Sequence, residues 1–346
     1  MLEGLYLSRL LAGHLDPRLI SNLEFLLLLL LMMLVMNSLE ISGMLSSLGR
    51  RIVNRAGSER RLALMLCLLV FGASAILTND VVLLGVVPLT IVVGVVSRVD
   101  VRKLGIFEGI AANAGSLLTP FGNPQNIYIS VHYDVGLFDF LLVMLPLWLL
   151  SLGLLALLIR WQFGERLLHP IRMKHMHRGM AALGLAALLS IILFFGHLLP
   201  LLVIAPVVLG LLAATGRFPR IIKMFDWKLF LLFVFIAFAT YAALMVYTLE
   251  LSGMPLLVSS IGLSQMVSNV PATFILSGAA DWRLLAIGVN IGGSGTLISS
   301  IATVIAYRYI KKYDARTTVW DFMKWGALFC FLQTVAMLPL FYIGWY

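Results

Sequence analysis

Charge is scarce in this sequence. Only 12% of its 346 residues are Asp, Glu, Lys or Arg, where a soluble domain carries about a quarter. Its longest hydrophilic stretches, around 161–178 and 308–323, are too short to fold alone. Cysteine is scarcer still. Cys67 and Cys330 are the only two and both sit inside apolar runs, which excludes a disulfide framework, a thiolate metal site and a three-cysteine arsenic site. There is no H-E-x-x-H, no pair of intramembrane aspartates and no nucleophile elbow, so we expect a chain that is not an enzyme. No A-x-A site follows Met1–Asn22, and that segment does not read as a cleaved signal peptide.

What the sequence has in abundance is apolar surface: 61% of its residues are hydrophobic and the mean hydropathy is +1.01. One soluble core cannot hide that much, so the chain belongs in a bilayer, with room for about ten segments of about 20 residues each. The net charge of +9 then reflects loops on the cytoplasmic side rather than nucleic-acid binding.

Apolar runs predict eight spans, at about 22–46, 104–131, 139–160, 180–196, 200–216, 228–250, 284–307 and 324–344. Two further stretches, 62–97 and 255–279, are interrupted by polar clusters: Thr78-Asn79-Asp80 in the first, and Ser268-Asn269 next to Pro271 in the second. If 22–46 runs inward, the cytoplasmic connections are 47–61, 98–103, 160–178, 217–228 and 308–324. Together they hold 22 of the 25 Lys and Arg, a bias that fixes orientation. The stretch 62–97 is then flanked by cytoplasmic loops on both sides, whereas 255–279 is flanked by nearly uncharged outer ones. Both read as re-entrant hairpins entering from opposite faces.

The motif SLEISGM (Ser38–Met44) recurs as TLELSGM (Thr248–Met254). A polar tip follows each copy, and then a glycine-rich span: NAGSLLTPFGNPQN (Asn113–Asn126) and NIGGSGTLISSIAT (Asn290–Thr303). The same parts in the same order with opposite sidedness make an inverted-topology repeat, which points to a secondary transporter rather than a channel. The predicted fold is therefore an all-α polytopic membrane protein forming one transporter domain. Its parts are repeat 1 at about 22–131, a linking span at 139–160, repeat 2 at about 180–307 and a last span at 324–344.

Irregular backbone survives in a membrane only around a buried or watery cavity. Pro120, Gly122 and Pro124 should break the first glycine-rich span near Thr119–Asn123, and Gly292, Gly293 and Gly295 should break the second. Breaks free carbonyls for a cation and helix N-termini for an anion. The candidate binding residues are thus Thr78, Asn79 and Asp80; Asn113, Ser116, Thr119, Pro120, Gly122, Asn123 and Asn126; Ser268, Asn269 and Thr273; and Asn290, Gly292, Gly293, Ser294, Gly295 and Thr296. Asp80 reads as the only carboxylate deep in the membrane, able to bind Na⁺, carry a proton or cap its helix. Glu40 and Glu250 read as structural, and Glu108 as an ordinary charge beside a basic loop. His169, His175 and His177, interleaved with Arg172, Lys174 and Arg178, read as a solvated loop.

These motifs, with LTNDVVLLGVVPLTI (Leu77–Ile91) and IGLSQMVSNVPATFIL (Ile261–Leu276), resemble the ion transporter superfamily of arsenite permeases, NhaD-type antiporters and citrate or dicarboxylate carriers. Its citrate-transporter-like or arsenical-pump-like branch is the most similar, over nearly all of 20–344. The resemblance implies substrate and Na⁺ held at the hairpin tips and broken helices, with Na⁺ near Asn79, Asp80, Thr119, Asn123, Asn269 and Ser294. It also implies a homodimer in the cell membrane, an elevator motion, and no cofactor beyond a coupling Na⁺ or H⁺. Asp80 and Val270 stand where dicarboxylate carriers have threonine, which weakens the case for a dicarboxylate. Such relatives also carry one or two helices ahead of the segment equivalent to 22–46. The expected activity is coupled transport of a small anion or oxyanion, of carboxylate or arsenite type, with Na⁺/H⁺ antiport as the alternative. Cysteines introduced at Ser58 and Asp281 should react with impermeant maleimide from opposite faces; labelling from one face would overturn the inverted repeat.

Overall fold

A computed structural model describes residues 16–165, 176–245, 251–279 and 281–342. Among them every regular element is helical, and the chain is a polytopic membrane protein. Helix α1 (Pro17–Ser42) starts on Asp16, whose carboxylate accepts from the Arg18 amide at 2.7 Å, and stops at Gly43 with φ 73°. It is followed by α2 (Met44–Ala56), α3 (Glu59–Ser74) and α4 (Asn79–Ser97), and then by α5 (Val101–Ser116), α6 (Pro124–His132) and α7 (Leu137–Gln162). The second half holds α8 (Arg178–Phe195), α9 (Leu201–Ala214), the short α10 (Phe218–Lys223) and α11 (Trp227–Leu244). It continues with α12 (Gly253–Val267), α13 (Asn269–Ile275), α14 (Trp282–Gly292), a 3₁₀ turn at Leu297–Ser299, α15 (Ile301–Tyr313) and α16 (Val319–Tyr342).

Five helices, α1, α4, α7, α8 and α16, are long and apolar enough to cross a membrane, and α9, α11 and α12 are shorter apolar helices. Burial sorts them further. Every residue of Leu104–Leu117 and of Leu284–Gly295 is buried, as befits helices enclosed on all sides. Helices α5 and α14 are thus the two axes of the molecule. Around them α7, α11 and α16 present large apolar side chains outward, among them Phe138, Leu142, Phe235 and Phe331.

Three expectations need correction. The segment 47–61 is not a loop, because its first ten residues belong to α2. Five arginines at 50–61 mask its amphipathic period, in which Leu45, Gly49, Val53 and Ala56 form a buried face and arginines lie opposite. This helix lengthens the stretch between Gly43 and Asn79 relative to that between Gly253 and Asn269. Gly43 and Gly253, the glycines of the repeated motif, both adopt positive φ, 73° and 59°, a conformation glycine takes without a steric penalty. After Gly253 the helix α12 begins at once; after Gly43, α2 comes first and packs against α3 and α4, with Ser46 Oγ donating to the Gly85 carbonyl at 3.1 Å.

Asp80, itself half-buried, is not alone among membrane carboxylates, since Glu24 and Glu108 are buried. A charged residue one or two turns into a helix looks superficial in sequence, but neighbouring helices cover both. Ser58 is also buried, whereas Arg61 is exposed, which makes Arg61 the better labelling position on that face. Thr248, Glu250, His169 and His175 lie outside the described residues, and His177 caps α8.

The tightest crossing joins α5 to α3. A Cβ on Gly115 would stand 2.0 Å from the Phe71 carbonyl oxygen, while one on Gly72 meets nothing within 4 Å. Gly115→Ala should therefore force the helices apart and lower stability by about 1–3 kcal/mol or more. Gly72→Ala should be neutral or gain about 0.5–1 kcal/mol from helix propensity. Thermal unfolding in detergent distinguishes the two, and equal effects would refute the crossing.

Candidate functional site

The first break follows from its sequence. Pro120 cannot donate in a helix, and α6 restarts at Pro124, a favoured first helical residue. Asn123 caps it by accepting from the Asn126 amide at 3.0 Å. The carbonyls stranded at the end of α5 are met by side chains. Asn126 Nδ2 donates to the carbonyls of Ser116, Leu117 and Thr119 at 3.4, 3.3 and 3.0 Å, and Trp148 Nε1 donates to Gly115 at 3.1 Å. Thr119 Oγ1 donates to the Ala75 carbonyl at 2.8 Å, closing the end of α3. A Cβ on Gly122 would stand 2.2 Å from the Ser116 carbonyl oxygen, so the loop folds back directly on α5.

The second break is built the same way. Gln265 Nε2 donates to the Gly292 carbonyl, and Ser299 Oγ to the Gly293 and Thr296 carbonyls at 2.9 and 2.7 Å. Thr296 Oγ1 donates to the Gln265 carbonyl at 3.0 Å. Ser294 Oγ is buried without a hydrogen-bond partner among the described residues.

Asparagines tie the two breaks together. Asn290 Nδ2 donates to Asn126 Oδ1 at 2.8 Å, and its Oδ1 accepts from Asn123 Nδ2 at 3.0 Å. Asn113 Nδ2 donates to Thr303 Oγ1 at 2.9 Å and to the Gly293 carbonyl at 3.2 Å, while its Oδ1 accepts from Ser300 Oγ at 2.7 Å. The same Oδ1 receives Asn79 Nδ2 at 3.2 Å, which brings in the start of α4. The Asn79 amide donates to the Gly122 carbonyl at 3.2 Å. Ser116 Oγ also donates to the Asn113 carbonyl. Between α12 and α13 Ser268 takes φ 78°, and its Oγ donates to the Ser299 carbonyl at 3.3 Å. Thr273 donates only within its helix, to Asn269 at 2.7 Å.

These elements meet at a cavity of about 10 Å³ lined by Asn79, Asp80, Pro124, Gln125, Asn269, Val270, Ser300 and Ile301. They are the opening residues of α4, α6, α13 and α15, so four helices begin at one point. Thr78 precedes the first of them. The space admits no more than about one water, so this is a closed conformation. Among the described residues no three His, Cys, Asp or Glu cluster to hold a metal; a cation here would rely on carbonyls, amides and hydroxyls. Sequence reasoning did not single out Gln125, Gln265, Ser299, Ser300 and Thr303; all five lie within the quoted motifs, but only Gln125 adjoins a candidate residue, Asn126.

The citrate transporter family profile matches residues 13–283. The chain belongs to that family. Its relatives include the inner membrane protein YbiR of Escherichia coli K12, 34% identical over 88% of this chain and 86% of that protein. A Methanocaldococcus jannaschii protein named as the uncharacterized transporter MJ0456 is 29% identical over 91% of this chain and 88% of its own length. The rice silicon efflux transporter LSI3 is 30% identical over 42% of this chain and 30% of its length. Both the family and these relatives are named as transporters or membrane proteins, in accord with the ion transporter superfamily. This member is accordingly a multi-pass membrane transporter for a small molecule or ion.

The capping role of Asn126 is testable. Asn126→Ala leaves the Leu117 and Thr119 carbonyls without their side-chain donor, and Ser116 with only the long bond from Asn123, and should lower stability by about 1–3 kcal/mol. Asn126→Asp keeps the size but cannot donate when ionised, and should be no better. An aspartate variant that melts with the wild type would refute the capping.

Proposed function

We propose that this family member is a secondary active transporter that carries a small anion or oxygen-rich solute through the cavity between the two tips, driven by Na⁺ or H⁺. One observation carries the reading: α4, α6, α13 and α15 all begin at that cavity. Helix N-termini present free N–H groups and a partial positive charge, which favours an anion or an electron-rich oxygen. The amides of Asn79, Gln125 and Asn269 and the hydroxyl of Ser300 supply further donors and acceptors, suited to carboxylate, arsenite or silicic acid alike. The name of the rice relative, a silicon efflux transporter, favours the oxygen-rich solutes.

In this reading α3–α4 and α12–α13 are re-entrant hairpins of two inverted repeats. They move with the broken helices α5–α6 and α14–α15 as an elevator in a homodimer in the cell membrane, and Na⁺ sits among the carbonyls and neutral side chains of the breaks. A second reading, cation/proton antiport, draws on Asp80, whose carboxyl stands at the wall of the same cavity.

Reconstituted protein should accumulate one of citrate, arsenite or silicic acid under a Na⁺ or pH gradient. Asn79→Ala and Asn269→Ala should each abolish that flux while folding as the wild type does. Asp80→Asn should only weaken anion flux, whereas it should eliminate cation/proton exchange. Undiminished flux in both asparagine variants would overturn the site.

A further inference from the structure

Glu108 lies outside the cavity and takes no part in the network around it. It sits two turns into α5, wholly buried between α3, α4 and α15. Thr90 Oγ1 of α4 donates to its Oε1 at 2.5 Å, and its Oε2 has no hydrogen-bond partner among the described residues. Cys67 of α3, also fully buried, is the titratable group its field reaches.

The cations of the surrounding helices are engaged elsewhere. Arg60 reaches Glu165 and the Phe163 carbonyl, Arg102 stands 3.8 Å from Asp321, and Lys103 donates to the Gln162 carbonyl. On α15, Lys311 donates to the carbonyls of Ala315 and Thr317. Arg61, Arg160, Arg308, Lys312 and Lys324 are exposed, as is Tyr309, with Tyr307 half-buried against Phe322. Asp80 stands at the far end of α4, at the cavity.

A carboxylate with a bare oxygen and no cation is among the most costly groups to bury, and it escapes the cost by taking up a proton. We propose that Glu108 is a proton-binding site of this transporter. It is a neutral acid in the closed conformation, and it becomes ionised when the seam between α4 and α5 reaches water. In that step the carboxyl O–H bond breaks, the proton passes to a water molecule and the electron pair stays on the carboxylate. Thr90 continues to donate to it.

Glu108 lies five residues, about 7.5 Å of helix rise, from Asn113, which holds Asn79, Ser300, Thr303 and the Gly293 carbonyl. Its charge state therefore acts on the same rigid helix that carries the junction of both repeats. This coupling rests on the transport reading above, and it selects H⁺ as the coupling ion.

Infrared spectroscopy of the full chain in lipid at neutral pH tests the site without any solute. The C=O stretch of a buried protonated carboxyl should be present in the wild type, absent in Glu108→Gln and shifted in Thr90→Val. No difference between wild type and Glu108→Gln would overturn the proposal, whatever the protein transports. Flux of citrate, arsenite and silicic acid in proteoliposomes then tests coupling. Wild-type flux should rise several-fold under a pH gradient, and Glu108→Gln should lose that rise. The exposed Asp134→Asn should keep it. A gradient response preserved in Glu108→Gln refutes the coupling. If none of the three solutes moves in the wild type, the transport reading for them fails and the coupling fails with it, while the infrared result still decides the site.

Discussion

Everything at the centre of this protein follows from one requirement: a helix broken inside a membrane must still satisfy its backbone. Water is not there to do it, and each orphaned group costs as much as a lost hydrogen bond or more. The chain answers with amide and hydroxyl side chains. One asparagine, Asn126, serves three carbonyls past the end of α5, and Trp148 serves a fourth. At the other break Gln265, Ser299 and Asn113 do the same for Gly292 and Gly293. The polar residues of the interior are thus divided. Some hold the breaks open as backbone caps, and others, such as Asn79, Asn269 and Gln125, line the cavity that the breaks create.

That arrangement links local structure to global shape. Asn290 bonds Asn123 and Asn126 across more than 160 residues of sequence, and Asn113 bonds Ser300 and Thr303 across nearly 190. The two breaks are therefore one network, joined by Asn290 and Asn113. Tight backbone approach makes this possible, as at Gly115, where any side chain would meet Phe71. The network leaves only about one water's volume between four helix starts.

Much of this was legible in the sequence. The breaks at Pro120–Pro124 and Gly292–Gly295 were, because proline and glycine act locally on helix continuity. Hydropathy also marked helices such as α7 (Leu137–Gln162) and α8 (Arg178–Phe195), read from the sequence as 139–160 and 180–196. Helix α2 was hidden because its arginines dominate the segment, while its buried face needs α3 and α4 as partners before it looks like a face at all. Glu108 was misread for a related reason: seven residues from the helix start, it looks superficial, and only the packing of α3, α4 and α15 around α5 encloses it.

The sequence by itself determined that the chain is a membrane protein of helices and where its helices break, since these depend on composition and on residues a few positions apart. Only the tertiary structure decided which polar side chain serves which backbone group, that four helix starts share one cavity, and that a glutamate sits enclosed away from it. Those facts depend on contacts between residues far apart in sequence. The pairing of Asn290 with Asn126 is written in no local pattern; it exists because two broken helices, unable to hydrogen-bond to lipid, had to complete each other.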